Sequence, residues 1–198
     1  MERAPVPVPV LETERLVLTM LSPGDEDRVV AYFTANRAHL EPWDPARPAG
    51  FYTPAYWRSV LAHSLTEHAA GTACKLFVFD RSAGGTDGPV IGTANLSQIV
   101  RGAFMSCMLG YGLDHRYVGR GVMTEALGAV IHHAFGTLRL HRIQANHVPT
   151  NERSAATLRR LGFVVEGYAR DYLHIGGRWR DHVLTALLNP EDPLEPRS

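Results

Sequence analysis

Two cysteines, Cys74 and Cys107, are the only thiols in the 198 residues. That is too few for a disulfide-held scaffold, and it predicts two reduced, buried thiols in a cytoplasmic protein. No apolar run approaches the roughly 20 residues of a membrane span, and the start of the chain lacks the apolar core of a signal peptide. Net charge is also missing, since 20 Lys and Arg balance 20 Asp and Glu. The bulk attraction that brings basic proteins to nucleic acid or membrane surfaces is therefore absent, and neither is expected as a direct partner. The ten histidines form no His-Glu-x-x-His or comparable set. Adjacent His132 and His133 fall on different helix faces, so no metal site is predicted.

What remains is an ordinary globular composition, 45% hydrophobic and 20% charged, at a length that fits one domain over residues 1–198. A proline-rich lead-in, Ala4-Pro5-Val6-Pro7-Val8-Pro9, occupies residues 1–10, and a polar tail takes residues 190–198. Alternation over residues 15–20 predicts a first strand. Ser22, with Pro23 at the first helical position, reads as the start of a helix carrying Val29, Val30, Tyr32 and Phe33. A second helix is expected over residues 54–68. Strands follow at residues 76–79, 90–99 and 103–113. Apolar pairs recur every four residues from Val122 to Phe135, the stripe of an amphipathic helix. After a strand at 142–147, Asn151 and Ser154 open a helix that Gly162 stops. Residues 163–165 return as a strand, and 172–175 pairs with 178–188 in a hairpin around Gly176-Gly177. The fold class is α+β (mixed α/β), a mixed sheet with helices on its faces.

The decapeptide Asp114-His115-Arg116-Tyr117-Val118-Gly119-Arg120-Gly121-Val122-Met123 joins a strand to the striped helix. Glycines there let backbone N–H groups approach an anion, and the helix adds free amides and a positive dipole end. Such a loop fits a pyrophosphate, and Arg139, His141, Arg142, Arg153, Arg159 and Arg160 downstream suit a polyanion. A dinucleotide fingerprint needs a third glycine where Thr124 stands and an acidic residue where the basic stretch 139–142 lies. No Gly-Lys-Ser/Thr follows, which excludes a P-loop.

The arrangement resembles the GNAT N-acetyltransferase superfamily. Its Arg/Gln-x-x-Gly-x-Gly/Ala signature is matched by Arg116, Gly119 and Gly121. Ile91-Gly92, Gly110-Tyr111-Gly112-Leu113 and Asn151-x-x-Ser154-x-x-x-Leu158-x-x-Leu161-Gly162-Phe163 occur around it in the expected order. Leu40-Glu41-Pro42-Trp43, Val100-Arg101-Gly102, His141-Arg142-Ile143, Asn151-Glu152-Arg153-Ser154 and the stretch from Trp179 to Leu187 are similar to the bacterial, Rim-type ribosomal-protein-alanine N-acetyltransferases. The likeness runs from about Leu11 to Leu188.

The resemblance implies a largely antiparallel sheet splayed between two strands, here residues 107–113 and 142–147, with helices on both faces. It implies acetyl-CoA as cosubstrate and the N-terminus of a ribosomal or other protein as partner, with the enzyme a monomer or homodimer. Acetyl-CoA would lie on Leu113, Arg116, Tyr117, Val118, Gly119, Arg120, Gly121, Val122, Met123 and Asn151. The backbone near Leu113 would polarise the acetyl carbonyl. Ser154 matches the family's serine facing the thiol and would protonate the departing sulfur. Where related enzymes carry a glutamate base and a tyrosine acid, this chain has Asn146 and Leu158, which exchange no proton. Glu67 is the candidate base, while Trp43, its prolines and Asn146 are candidates for the substrate end. An α-amine, with an ordinary pKa near 7.7–8 against about 10.4 for lysine, needs only a weak base near neutral pH. Two other functions fit the same signature: acetylation of a small amine such as an antibiotic or polyamine, and a non-catalytic acyl-CoA sensor or ribosome-assembly factor.

Overall fold

The structure, a computed structural model, describes residues 7–191; residues 1–6 and 192–198, which hold much of the expected lead-in and tail, lie outside. In chain order come β1 (Val10–Glu12), β2 (Leu16–Thr19), α1 (Glu26–Ala35), the short α2 (Arg37–Leu40), α3 (Pro54–Ala70), β3 (Cys74–Asp80), β4 (Val90–Val100) and β5 (Ser106–Leu113). Then follow α4 (Val122–His132), β6 (Arg142–Gln144), α5 (Glu152–Arg160), β7 (Val164–Ile175) and β8 (Arg178–Leu188). The described strands form one sheet in the order β1-β2-β3-β4-β5-β6-β8-β7. Every pairing is antiparallel except β5 with β6. No helix among the described residues is long and apolar enough to cross a membrane.

Helices cover both faces of the sheet, and β3 shows how its centre is built. Leu76 and Val78 pack with Ala126, Leu127 and Val130 of α4 and Leu158 of α5. Their neighbours Phe77 and Phe79 pack on the opposite side with Val29 and Tyr32 of α1 and Trp57 and Leu61 of α3. Successive side chains of a strand point to opposite faces, so a strand buried on both sides reads as a continuous apolar run. Cys74 and Cys107 are both buried free thiols, pushed up by burial to about 12.

Several boundaries depart from the sequence expectation. The first helix begins at Glu26 rather than at Ser22-Pro23. Gly24 adopts φ +117°, which no helix accommodates, and the Asp25 carboxylate accepts from the Ser22 amide at 3.3 Å. The segment before it is a turn. Part of the expected lead-in pairs as β1 with β2. The separate strands at 163–165 and 172–175 are one strand, β7, with register shifts at 165/167 and 169/173. Most of β7 is exposed on both faces, so no alternation marks it in the sequence. Gly176 and Gly177 do form the hairpin turn, at φ +57° and +79°.

Candidate active site

The loop between β5 and α4 is fixed from its start. Asp114, 1% exposed at its side chain, accepts from the Arg116 amide at 2.8 Å and from the Arg116 guanidinium at 3.0 and 2.8 Å. Asn36 at the end of α1 donates to the same carboxylate at 3.1 Å and accepts from the His115 amide at 3.0 Å. Burial pushes the Asp114 carboxyl up, but the bonds from Arg116 and Asn36 outweigh it and hold the group at about 2. The signature arginine is thus first a pin for the loop. On the other side, Arg15 donates to the Arg120 carbonyl at 3.0 Å and pairs with Glu125 of α4 at 2.6 Å.

Between these pins the backbone amides are open. Tyr117 and Val118 donate back to Asp114 and His115. The first helical bond of α4 runs from Glu125 to Gly121 at 3.0 Å. Among the described residues, the amides of residues 119–124 have no acceptor. Gly119 at φ +79° and Gly121 at φ +74° turn this segment into a concave row of donors at the helix N-terminus. The open set therefore begins at Gly119, one residue later than the expected start at Val118.

The sheet opens beside this loop. The β5–β6 ladder has only three register pairs, the last being Met108 with Gln144. On its other side β5 stays paired with β4 as far as Leu113. After Gln144 the chain follows β8 instead: Ala145 donates to Thr185 at 3.0 Å, and His147 and Val183 exchange bonds at 3.2 and 2.9 Å. Residues 109–113 consequently have a strand edge facing a gap. Across that gap, the Tyr111 hydroxyl meets the Ser154 hydroxyl at 2.7 Å. Asn151 caps α5 by accepting from the Ser154 amide at 3.1 Å, which sets Ser154 in the first turn.

A sequence model of the acetyltransferase (GNAT) domain matches residues 15–164. The chain belongs to the GNAT acetyltransferase family. It is 43% identical to the [ribosomal protein uS5]-alanine N-acetyltransferase of Escherichia coli, over 96% of this chain and 95% of that one. The crystal structure of ribosomal-protein-S5-alanine acetyltransferase from Vibrio fischeri superposes with a TM-score of 0.87 at 37% identity, covering 95% of this chain and 100% of that one. Mycobacterium smegmatis RimJ in complex with CoA-disulfide gives 0.83 at 28% identity, over 96% and 92% of the two chains.

Within this GNAT fold the other candidates separate. Glu67, at the end of α3, pairs with Lys75 at 2.6 Å and is not on the walls of the cavity beside β5, so no contact brings it to Ser154. It is an ion-paired carboxylate at a helix end, 26% exposed at its side chain. Asn146 accepts from the Thr185 amide at 3.3 Å and donates to the Tyr172 hydroxyl at 3.4 Å, tying β8 to β7 near the gap. Leu158 is core. Trp43, 37% exposed, is not among the residues that line the cavity, which Asp44 and Pro45 do.

That cavity, of about 320 Å3, lies on the α1 side of β5. Gly110, Tyr111 and Gly112 form one wall, Tyr32, Phe33 and Leu40 another, and the loop from Asp44 to Pro48 a third. A Cβ at Gly110 would meet nothing within 4 Å, so the absent side chain is itself part of the space. Sequence reading missed Asp44, Arg47 and Tyr111 as site residues. The signals were present: an acid and a base three residues apart between prolines, and a lone tyrosine between two glycines.

Proposed function

We propose that this chain is an acetyl-CoA-dependent N-acetyltransferase acting on the α-amine of a protein N-terminus, with an alanine-starting ribosomal protein as its acceptor. The gap beside residues 109–113 carries this reading, because it has open amides at one end and an empty-walled cavity at the other. The 43% identity to the uS5-alanine enzyme over nearly both whole chains supports the choice of acceptor. The whole chain works as one catalytic domain in the cytoplasm, where ribosomal proteins are met.

Acetyl-CoA supplies an acyl thioester, which an amine attacks without a covalent enzyme intermediate. The amides of residues 119–124 hold its pyrophosphate, with Arg120 adding charge at the loop surface. The free edge of β5 near Leu113 donates to the acetyl oxygen, where negative charge develops. Ser154, held by Asn151 and hydrogen-bonded to Tyr111, gives a proton to the leaving sulfur.

Peptides beginning with Ala, Ser or Met, and a blocked peptide bearing only a lysine amine, can be incubated with acetyl-CoA and followed by mass spectrometry. Transfer to the free α-amine of the alanine peptide, and not to the lysine, is the expected result. Transfer only to small amines such as polyamines would overturn it, and acetyl-CoA binding without transfer would point to a sensor.

A further inference from the structure

The cavity beside β5 contains a carboxylate that the steps above leave unused. Asp44 is half-buried, and its Oδ2 takes a 2.5 Å hydrogen bond from Arg47 Nη2. Its Oδ1 accepts no hydrogen bond among the described residues. Arg47 is 8% exposed at its side chain and lies 4.8 and 4.2 Å from the ring centres of Phe33 and Phe51. Its Nε and Nη1 are buried without partners. A guanidinium buried with unmet donors costs stability, which its contacts with the faces of Phe33 and Phe51 offset in part. Here it locks one oxygen of Asp44. The backbone is locked too: Gly176 in the β7–β8 turn donates to the Asp44 carbonyl at 3.1 Å, and Pro45 bridges to Ile175. On the same cavity, the buried Tyr32 hydroxyl lies beside the Thr93 side chain.

We propose that Asp44 receives the α-ammonium of the incoming protein N-terminus and takes one proton from it, with Arg47 as the positioning residue that holds the carboxylate. This rests on the acetyltransferase reading above. The titratable groups around the site are Arg47 on its own loop, Tyr32 from α1 and Tyr111 from β5; the remaining walls are uncharged. Burial pushes the Asp44 carboxyl up against the opposing pull of Arg47. The proton balance closes. The ammonium gives one proton to Asp44, the free nitrogen bonds to the acetyl carbon, and the carbon–sulfur bond breaks. The nitrogen loses its second proton to solvent as the sulfur gains one from the Ser154–Tyr111 hydroxyls; that pair is reprotonated from solvent and Asp44 returns its proton there, so one proton is released in all.

Asp44→Asn keeps the shape and removes the charge. The kcat/KM for an alanine-starting peptide should fall on the order of 10²-fold, with acetyl-CoA affinity unchanged by calorimetry. The remaining activity should rise with pH as the amine deprotonates unaided, and Asp44→Glu should restore much of it. Arg47→Gln should move the pH profile in the same direction by less. Asp44→Asn at the wild-type rate, with the wild-type pH profile, would overturn the proposal. Should the variants fold poorly, wild-type protein with CoA decides: a free α-amine peptide should bind at least tenfold tighter than its uncharged desamino analogue, and equal binding refutes the role of Asp44. A wild-type protein that transfers to no peptide would refute the acetyltransferase reading instead, and this binding comparison would still settle Asp44.

Discussion

The Tyr111 hydroxyl lies 2.7 Å from the Ser154 hydroxyl, joining β5 to the first turn of α5 across the place where the sheet parts. Burial pushes the Tyr111 phenol up, against the opposing effect of its bond to Ser154, so it stays protonated near neutral pH. A protonated pair here is what the proposed mechanism requires for a departing thiolate. Ser154→Ala should lower kcat on the order of 10²-fold with little change in acetyl-CoA affinity. Tyr111→Phe should lower it by less, since Ser154 keeps its own hydroxyl. Steady-state kinetics with direct CoA titration checks both, and wild-type turnover in Ser154→Ala would leave the Ser154–Tyr111 bond a structural tie alone.

The glycine loop permits a controlled test. Gly121 and Gly102 share a left-handed backbone, at φ +74° and +71°, and neither faces a steric wall closer than 3.6 Å. Valine at either costs about 1–3 kcal/mol of backbone strain. Of the two, only Gly121 lies in the row of open amides. Gly121→Val should therefore lose more than tenfold in CoA affinity while Gly102→Val loses stability without losing affinity. Equal CoA binding by the two variants would remove the anion role from the loop.

Much of this site was readable before any coordinates. The loop glycines and the Asn151–Ser154 cap announce themselves because each needs one residue type for a local backbone reason, positive φ or an N-terminal hydrogen bond. Asp44 and Arg47 did not, because their meaning lies in burial against Phe33 and Phe51, which no spacing reveals. Glu67 drew notice as a helix-end carboxylate, yet its partner, Lys75, is a contact formed only once β3 packs beside α3. Trp43 was expected at the substrate end, but of that loop Asp44 to Pro48 line the cavity. The long β7 was hidden because a strand exposed on both faces leaves no period-two signal.

Gly110 offers a way to close the acceptor side alone. A Cβ there would meet no protein atom within 4 Å, and Gly110 lines the cavity. Gly110→Val should raise KM for the acceptor peptide by at least tenfold, with thermal stability and CoA affinity close to wild type. Peptide kinetics beside a CoA titration reads this directly; an unchanged KM would place the acceptor elsewhere.

Asp114 links the loop to acid stability. Its carboxyl is lowered from 3.8 to about 2 in the folded protein, which corresponds to roughly 2–3 kcal/mol at 1.36 kcal/mol per unit. A depressed folded-state value means that this stabilisation is fully present above about pH 4. It is lost as pH falls through about 2, because the folded state then binds the proton it had resisted. Asp114→Asn should lower the melting temperature at pH 7, and the difference from wild type should shrink steadily between pH 4 and pH 2. The variant also frees Arg116 and the His115–Tyr117 turn from their anchor, so CoA affinity should fall with stability at neutral pH. Melting curves across this acid range decide the matter: a difference that does not vary with pH would show that the loss arises from shape rather than from the charge of Asp114.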